Sequence, residues 1–195
     1  MTLRRWSYNC SGFDFRSYRK AGLYREYIKL KVEEAIMVSS EVIEGLRTCE
    51  LFALLNQEEI QMLTASLATE CEIETYEAGD PIFEQGGHSA KLYIIIEGQV
   101  LLERSLNIGD KTSKWPLGLL GKGRAMGWSA LLYGPRYVTA SAICRKPTRL
   151  ISIEGTSLRS VLGREPGVGF RVMDRLACML GDRLRVAYNT MEAHL

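Results

Sequence analysis

The stretch Ile73-Glu74-Thr75-Tyr76-Glu77-Ala78-Gly79-Asp80-Pro81-Ile82-Phe83-Glu84-Gln85-Gly86-Gly87, followed by Leu92-Tyr93-Ile94-Ile95-Ile96-Glu97-Gly98, decides the fold. Each apolar run in it is short and ends on turn residues. Ala78-Gly79-Asp80-Pro81 follows Ile73–Tyr76, Gly86-Gly87 follows Ile82-Phe83, and Glu97-Gly98 follows Leu92–Ile96. Glycine supplies positive φ and proline presets a turn, so these clusters end strands for a physical reason. Val100–Leu102, Val138–Ile143 and Leu150–Ile153 continue the series. Runs of four to six residues at this spacing predict an antiparallel barrel or jelly roll, not alternating β-α units. The glycines and lysines of Gly109–Gly127 give no assignment.

On either side of this span the period changes to that of a helix. From about Leu23 to Leu67, Tyr24, Ile28, Ala35, Ile36 and Ile43 fall near multiples of 3.6. Gly45 interrupts the pattern, Leu46, Leu51, Phe52 and Leu55 resume it, and Asn56 is placed to cap a helix over Gln57–Ala68. After Gly155, Thr156 or Ser157 is placed to cap a short helix ending near Leu162. Glu165-Pro166-Gly167 breaks the chain, and a long helix is expected from about Val168 to Met191. Its Met173, Leu176, Leu180, Ala187 and Met191 form an apolar stripe that Leu184 extends. Such a stripe either lies on the barrel or makes a two-fold coiled-coil contact between two copies. The expected fold is mainly β with flanking helices: N-terminal helices, the barrel and a long C-terminal helix. Residues 1–45 are expected to be a basic, partly helical extension and residues 46–192 the domain.

Composition narrows the function. In 195 residues, 46% are hydrophobic and 25% charged, as in soluble globular chains. No apolar run approaches the ~18 residues needed to cross a bilayer, and no apolar segment follows Arg4-Arg5 as a secretory signal requires. A cytoplasmic protein without a membrane contact is therefore expected. The five cysteines lie tens of residues apart and only His88 and His194 are present. A disulfide framework, a zinc site and an imidazole-based metal enzyme are not supported. Residues 1–31 carry a charge balance of +6, the remainder −4. Tyr8, Phe13, Phe15, Tyr18, Tyr24 and Tyr27 interleave with those charges, so this head is either a solvated tail or a contact for nucleic acid or anionic lipid.

The segment Met126-Gly127-Trp128-Ser129-Ala130-Leu131, with Pro135-Arg136-Tyr137-Val138-Thr139-Ala140 after it, carries the most chemistry. Small residues there let backbone N–H groups converge on an anion, and a guanidinium nine residues on grips phosphate bidentately.

In its setting this segment completes a pattern. Leu51-Phe52 with Glu58-Glu59-Ile60, Tyr76 to Gly86, Leu92 to Val100, Gly127 to Arg136, and Pro166 to Leu184 occur in order. Residues 46–192 thereby resemble the cyclic nucleotide-binding domain family, which includes catabolite activator proteins and kinase regulatory subunits. The resemblance implies a double-stranded β-helix jelly roll of eight strands. It also implies a cyclic nucleotide (cAMP or cGMP) held between a phosphate-binding cassette and the long helix, with no other cofactor and no enzymatic activity. Carried over by position, Arg136 matches the phosphate-binding arginine, and Gly127 and Ala130 match the backbone donors, with Ser129 between them.

Two positions depart from the family. Trp128 stands where relatives carry an acidic residue for the ribose 2′-hydroxyl, and Tyr137 replaces a small residue. Each ring either fills the cavity, packs in the core or stacks on a different ligand. Arg136 has the alternative role of a surface salt bridge. Ala187 and Tyr188 fall near the position of base-contacting hydroxyls in relatives. Regulators of this family continue into a helix-turn-helix domain, for which this sequence leaves no room, so nucleic-acid binding of that kind is not expected. Two functions remain: a sensor module acting on an unidentified effector protein, or a degenerate domain that dimerises through its long helix. A cupin-type enzyme would need a cluster of His and Glu that the barrel span lacks.

Overall fold

The computed structural model describes residues 40–88, 90–108, 111–132 and 137–192, which belong to one compact unit, Ser39–Leu195. The basic head, and the helical pattern before residue 40, lie outside the described residues. Eight strands are described: β1 (Cys71–Tyr76), β2 (Pro81–Phe83), β3 (Lys91–Glu97), β4 (Val100–Ile108), β5 (Lys111–Leu120), β6 (Ala125–Met126), β7 (Ser141–Cys144) and β8 (Thr148–Glu154). Helix α1 covers residues 40–48, α2 Gln57–Ser66, α3 Gly155–Arg164 and α4 Pro166–Glu192. Single 3-10 turns occupy Glu50–Phe52 and Trp128–Leu131.

The strands form two four-stranded antiparallel sheets, ordered β1-β8-β3-β6 and β2-β7-β4-β5. This is a jelly roll whose two sheets are not joined into a closed barrel among the described residues. Alternation along each strand assigns two faces. Leu92 and Ile94 of β3, with Ile151 and Ile153 of β8, join Leu46, Phe52, Leu63, Leu158, Val172 and Leu176 in a helix-side core. Tyr93, Ile95 and Leu150 point the other way and meet Val100, Leu120, Ala142 and Phe83 between the sheets.

Several local expectations hold and several change. Asn56 caps α2 in a reciprocal box: its Oδ1 accepts from Glu59 N at 2.9 Å, and Glu59 Oε2 accepts from Asn56 N at 3.0 Å. Proline at the first position of α4 explains the sharp break after α3. Neither Thr156 nor Ser157 caps α3. The helix begins at Gly155 without a side-chain cap, and the Ser157 hydroxyl donates to Glu70. Gly45 does not interrupt α1, which runs through it; the glycine lets the helix approach the Ile151 side chain, whose Cδ1 would stand 2.3 Å from a β-carbon there. The unassigned stretch contains β5, an edge strand whose Pro116 sits beside a register shift in the β4 ladder. Proline is tolerated at an edge and at such irregularities, which is why the strand was hidden. In α4 the apolar stripe divides: Leu176 is 2% exposed in the helix-side core and Leu180 packs against it, whereas Met173 and Leu184 face outward. Leu176 is therefore unavailable to a second copy.

Candidate functional site

β6 is only two residues long and pairs with β3 through Tyr93↔Met126 and Ile94↔Ala125. The chain leaves it at Gly127, in the left-handed region with φ 74°. A β-carbon there would stand 2.5 Å from the Lys91 carbonyl oxygen and 3.1 Å from Tyr93 Cδ2. Conformation and close approach together require glycine. The 3-10 turn that follows is closed by Ala130 N donating to Gly127 O at 3.0 Å and Leu132 N to Ser129 O at 3.1 Å. From the far side, Gly155 at the start of α3 packs directly on Ala130, and Arg159 Nη1 donates to Leu131 O at 3.1 Å. The turn is thus held between β3 and α3. Its first N–H groups, those of Trp128 and Ser129, are the ones a helical turn leaves without an intrahelical acceptor.

The residues singled out in the sequence are placed as follows. Gly127 and Ala130 are buried and Ser129 is half-buried. Trp128 is half-buried and packs against the helix-side core. Tyr137 is 55% exposed, with its ring centroid 4.7 Å from that of His88. The cause is an antiparallel bridge, His88↔Tyr137, continued by Gly86 N to Val138 O at 2.8 Å and Val138 N to Gly87 O at 2.9 Å. Arg136, with Pro135, lies outside the described residues. Tyr188 is exposed on α4, and nothing is described of the Ala187 side chain.

Sequence reasoning missed a polar group on the inner face of the first sheet. Lys91 Nζ lies 3.1 Å from Glu72 and 3.2 Å from Glu74 and donates to Ser152 Oγ at 3.4 Å. Tyr76 donates to Glu74 Oε2 at 2.6 Å. Burial alone raises the Glu74 pKa, but hydrogen bonds from Ser152, Tyr76 and Lys91 outweigh it and hold the carboxyl below its ordinary value. Burial, then the Glu74 carboxylate, pushes the Tyr76 phenol up. The period-two pattern marked these residues only as facing away from Ile73 and Leu92, and their pairing across three strands needs the register. Burial also pushes the thiols of Cys49 and Cys71 up, to about 12 and about 11, as befits core fillers.

Two four-stranded antiparallel sheets, a left-handed glycine opening a short helical turn, and a long C-terminal helix define a jelly-roll domain flanked by helices. Residues 73–165 match the sequence model of the cyclic nucleotide-binding domain. A cyclic AMP receptor protein from Thermus thermophilus is 34% identical over 113 residues, 57% of this chain and 48% of that one. The crystal structure of the Thermus thermophilus catabolite activator protein superposes with a TM-score of 0.58 at 30% identity, covering 74% of this chain and 62% of that one. The N-terminal domain of a transcriptional regulator from Streptomyces coelicolor gives a TM-score of 0.56 at 28% identity, covering 75% of this chain and 94% of that one. The chain spans about half the length of the curated relative. No described helix is long and apolar enough to cross a membrane.

Proposed function

We propose that this domain is a regulatory binding module that takes a ligand of the cyclic-nucleotide class at the Gly127 turn. Arg136 pairs with the phosphate, and the backbone from Gly127 to Ala130 supplies N–H donors. The observation that carries the reading is the left-handed Gly127 bedded on the Lys91 carbonyl within the segment that matches the family. Cyclic AMP is a weak ligand on this reading, because the indole of Trp128 has no acceptor for a ribose hydroxyl. Losing one charged hydrogen bond costs about 1.5–3 kcal/mol, which is about one to two orders of magnitude in affinity. The module acts in the cytoplasm as a homodimer. Two copies pair through the outward face of α4, where Phe170, Met173, Leu184 and Tyr188 are exposed, and an effector protein reads the position of that helix.

A second reading, a domain that has kept the fold and lost the ligand, is favoured by Trp128 being engaged in the core. Thermal unfolding with each cyclic nucleotide separates the two. A ligand at 100 times its dissociation constant adds about 2.7 kcal/mol of stability. A dose-dependent rise in melting temperature with cyclic AMP or cyclic GMP at millimolar concentration supports the sensor. No rise with either, for a protein that remains dimeric, supports the second reading.

A further inference from the structure

Glu50 joins three parts of the fold that are far apart in sequence. It opens the 3-10 turn after α1, and its side chain is only 10% exposed. Its Oε2 lies 2.8 Å from Arg124 Nη1, while its Oε1 accepts from Ala125 N at 3.0 Å and from Arg183 Nη2 at 3.3 Å. Its own backbone takes part as well: Glu50 N donates to Gly123 O at 2.8 Å, and Glu50 O accepts from Arg175 Nε at 3.0 Å. Arg183 also donates to the Ala125 carbonyl at 2.7 Å.

β6 is an edge strand, so one side of it has no neighbouring strand. An open edge leaves backbone groups to be satisfied by other means. At Ala125 both groups are met by side chains: the N–H by Glu50 and the carbonyl by Arg183 of α4. Ala125 stands two residues before Gly127, so whatever fixes it fixes the entry to the turn. The carboxylate also stands between two guanidiniums, those of Arg124 and Arg183. Without its charge they face one another across a half-buried gap, and α4 keeps only the Arg183 bond to the Ala125 carbonyl as its direct tie to the strand.

We propose that Glu50 is a positioning residue for the Gly127 turn, locking β6 and α4 into one unit so that a displacement of either is felt by the other. The proposal rests on the cassette reading above for its purpose, while the coupling itself belongs to the protein without ligand. Arg183 joins α4 directly to the Ala125 carbonyl, Glu50 Oε1 bridges the Ala125 N–H and Arg183, and Arg175 ties α4 to the Glu50 carbonyl. The hub therefore makes the position of Arg183 depend on the position of Ala125.

Hydrogen exchange of the unliganded full chain tests this in wild type, Glu50→Gln and Arg183→Gln, with Glu44→Gln as the exposed control. Glu50→Gln is expected to speed exchange at least tenfold both in residues 123–131 and in residues 175–188. The protection of β3 and β8 stays unchanged. Arg183→Gln, which leaves Glu50 paired with Arg124, is expected to speed residues 123–131 as well, a segment more than fifty residues away. It decides the matter if Glu50→Gln does not fold. A change confined to α4 in Arg183→Gln, or a uniform loss of protection across all strands, overturns the coupling. Because no ligand is present, a failure to bind cyclic nucleotides bears on the proposed function and not on this result.

Discussion

Gly127→Ala tests whether the turn that carries the site is dictated by β3. At φ 74° the residue is in the left-handed region, where an L side chain costs about 1–2 kcal/mol. The new β-carbon would also stand 2.5 Å from the Lys91 carbonyl oxygen. That carbonyl belongs to a strand paired on both sides, with β8 and β6, so it cannot retreat without disturbing two ladders. Overpacking of this kind typically costs about 1–3 kcal/mol. Stiffening the unfolded chain returns about 0.4–1 kcal/mol. The net loss is therefore about 1–4.6 kcal/mol, or about 2–18 °C in melting temperature for a chain of this size. Gly163→Ala is the matched comparison, since that glycine lies in α3 with open space around its β-carbon position. It is expected to gain about 0.5–1 kcal/mol from helix propensity. Urea unfolding of the three proteins, read as the shift in midpoint at constant slope, measures both. A Gly127→Ala protein within about 0.5 kcal/mol of wild type would show that β3 does not set the turn.

The division of the α4 stripe gives opposite expectations for Leu176 and Leu184, which lie about two helical turns apart. Leu176→Ala is expected to lose about 2–5 kcal/mol of stability, because the side chain is buried in the helix-side core. Leu184→Glu, at a site 52% exposed, is expected to leave stability within about 0.5 kcal/mol and to halve the mass seen by light scattering; unchanged mass contradicts pairing through this face. The inner-face polar group makes an acid-sensitivity prediction. The Glu74 carboxyl is held below its ordinary pKa of 4.5, so its stabilisation is complete above that pH and is lost as pH falls through the lower, folded value. Melting temperatures taken downward from pH 7 should show Glu74→Gln falling less steeply than wild type below about pH 4.5; parallel curves contradict the role given to Ser152, Tyr76 and Lys91.

Residues with a short-range signature were legible in the sequence, and those defined by pairing were not. Leu92–Ile96 followed by Glu97-Gly98 reads directly as a strand and turn, and Asn56 with Glu59 reads as a cap, because the partners lie within a few residues. β5 was hidden because Pro116 and Gly118 spoil its alternation, which only an edge position with a register shift tolerates. The spacing of Leu176 and Leu184 gives both as one stripe, since periodicity marks an apolar face without saying whether the molecule itself covers it. Gly127 and Ala130 were singled out by their small size and order, and the structure explains the glycine by a β-carbon clash with the Lys91 carbonyl. For Trp128 and Tyr137 the sequence left cavity filling, core packing and stacking on a ligand open. The helix-side packing of one and the His88 contact of the other depend on how the two flanking segments pair. Glu50 had no signature at all, because its partners Ala125 and Arg183 lie 75 and 133 residues away.

On the proposed function, the Gly127 turn and Arg136 hold a cyclic phosphate while Trp128 withholds the ribose contact. Titration calorimetry of cyclic AMP into wild type, Arg136→Gln and Trp128→Glu tests it most directly. Weak binding is expected for wild type, none for Arg136→Gln, and an affinity about one to two orders of magnitude higher for Trp128→Glu, as one regained charged hydrogen bond implies. Sub-micromolar binding of cyclic AMP to the wild-type chain, or binding that survives Arg136→Gln unchanged, would contradict it.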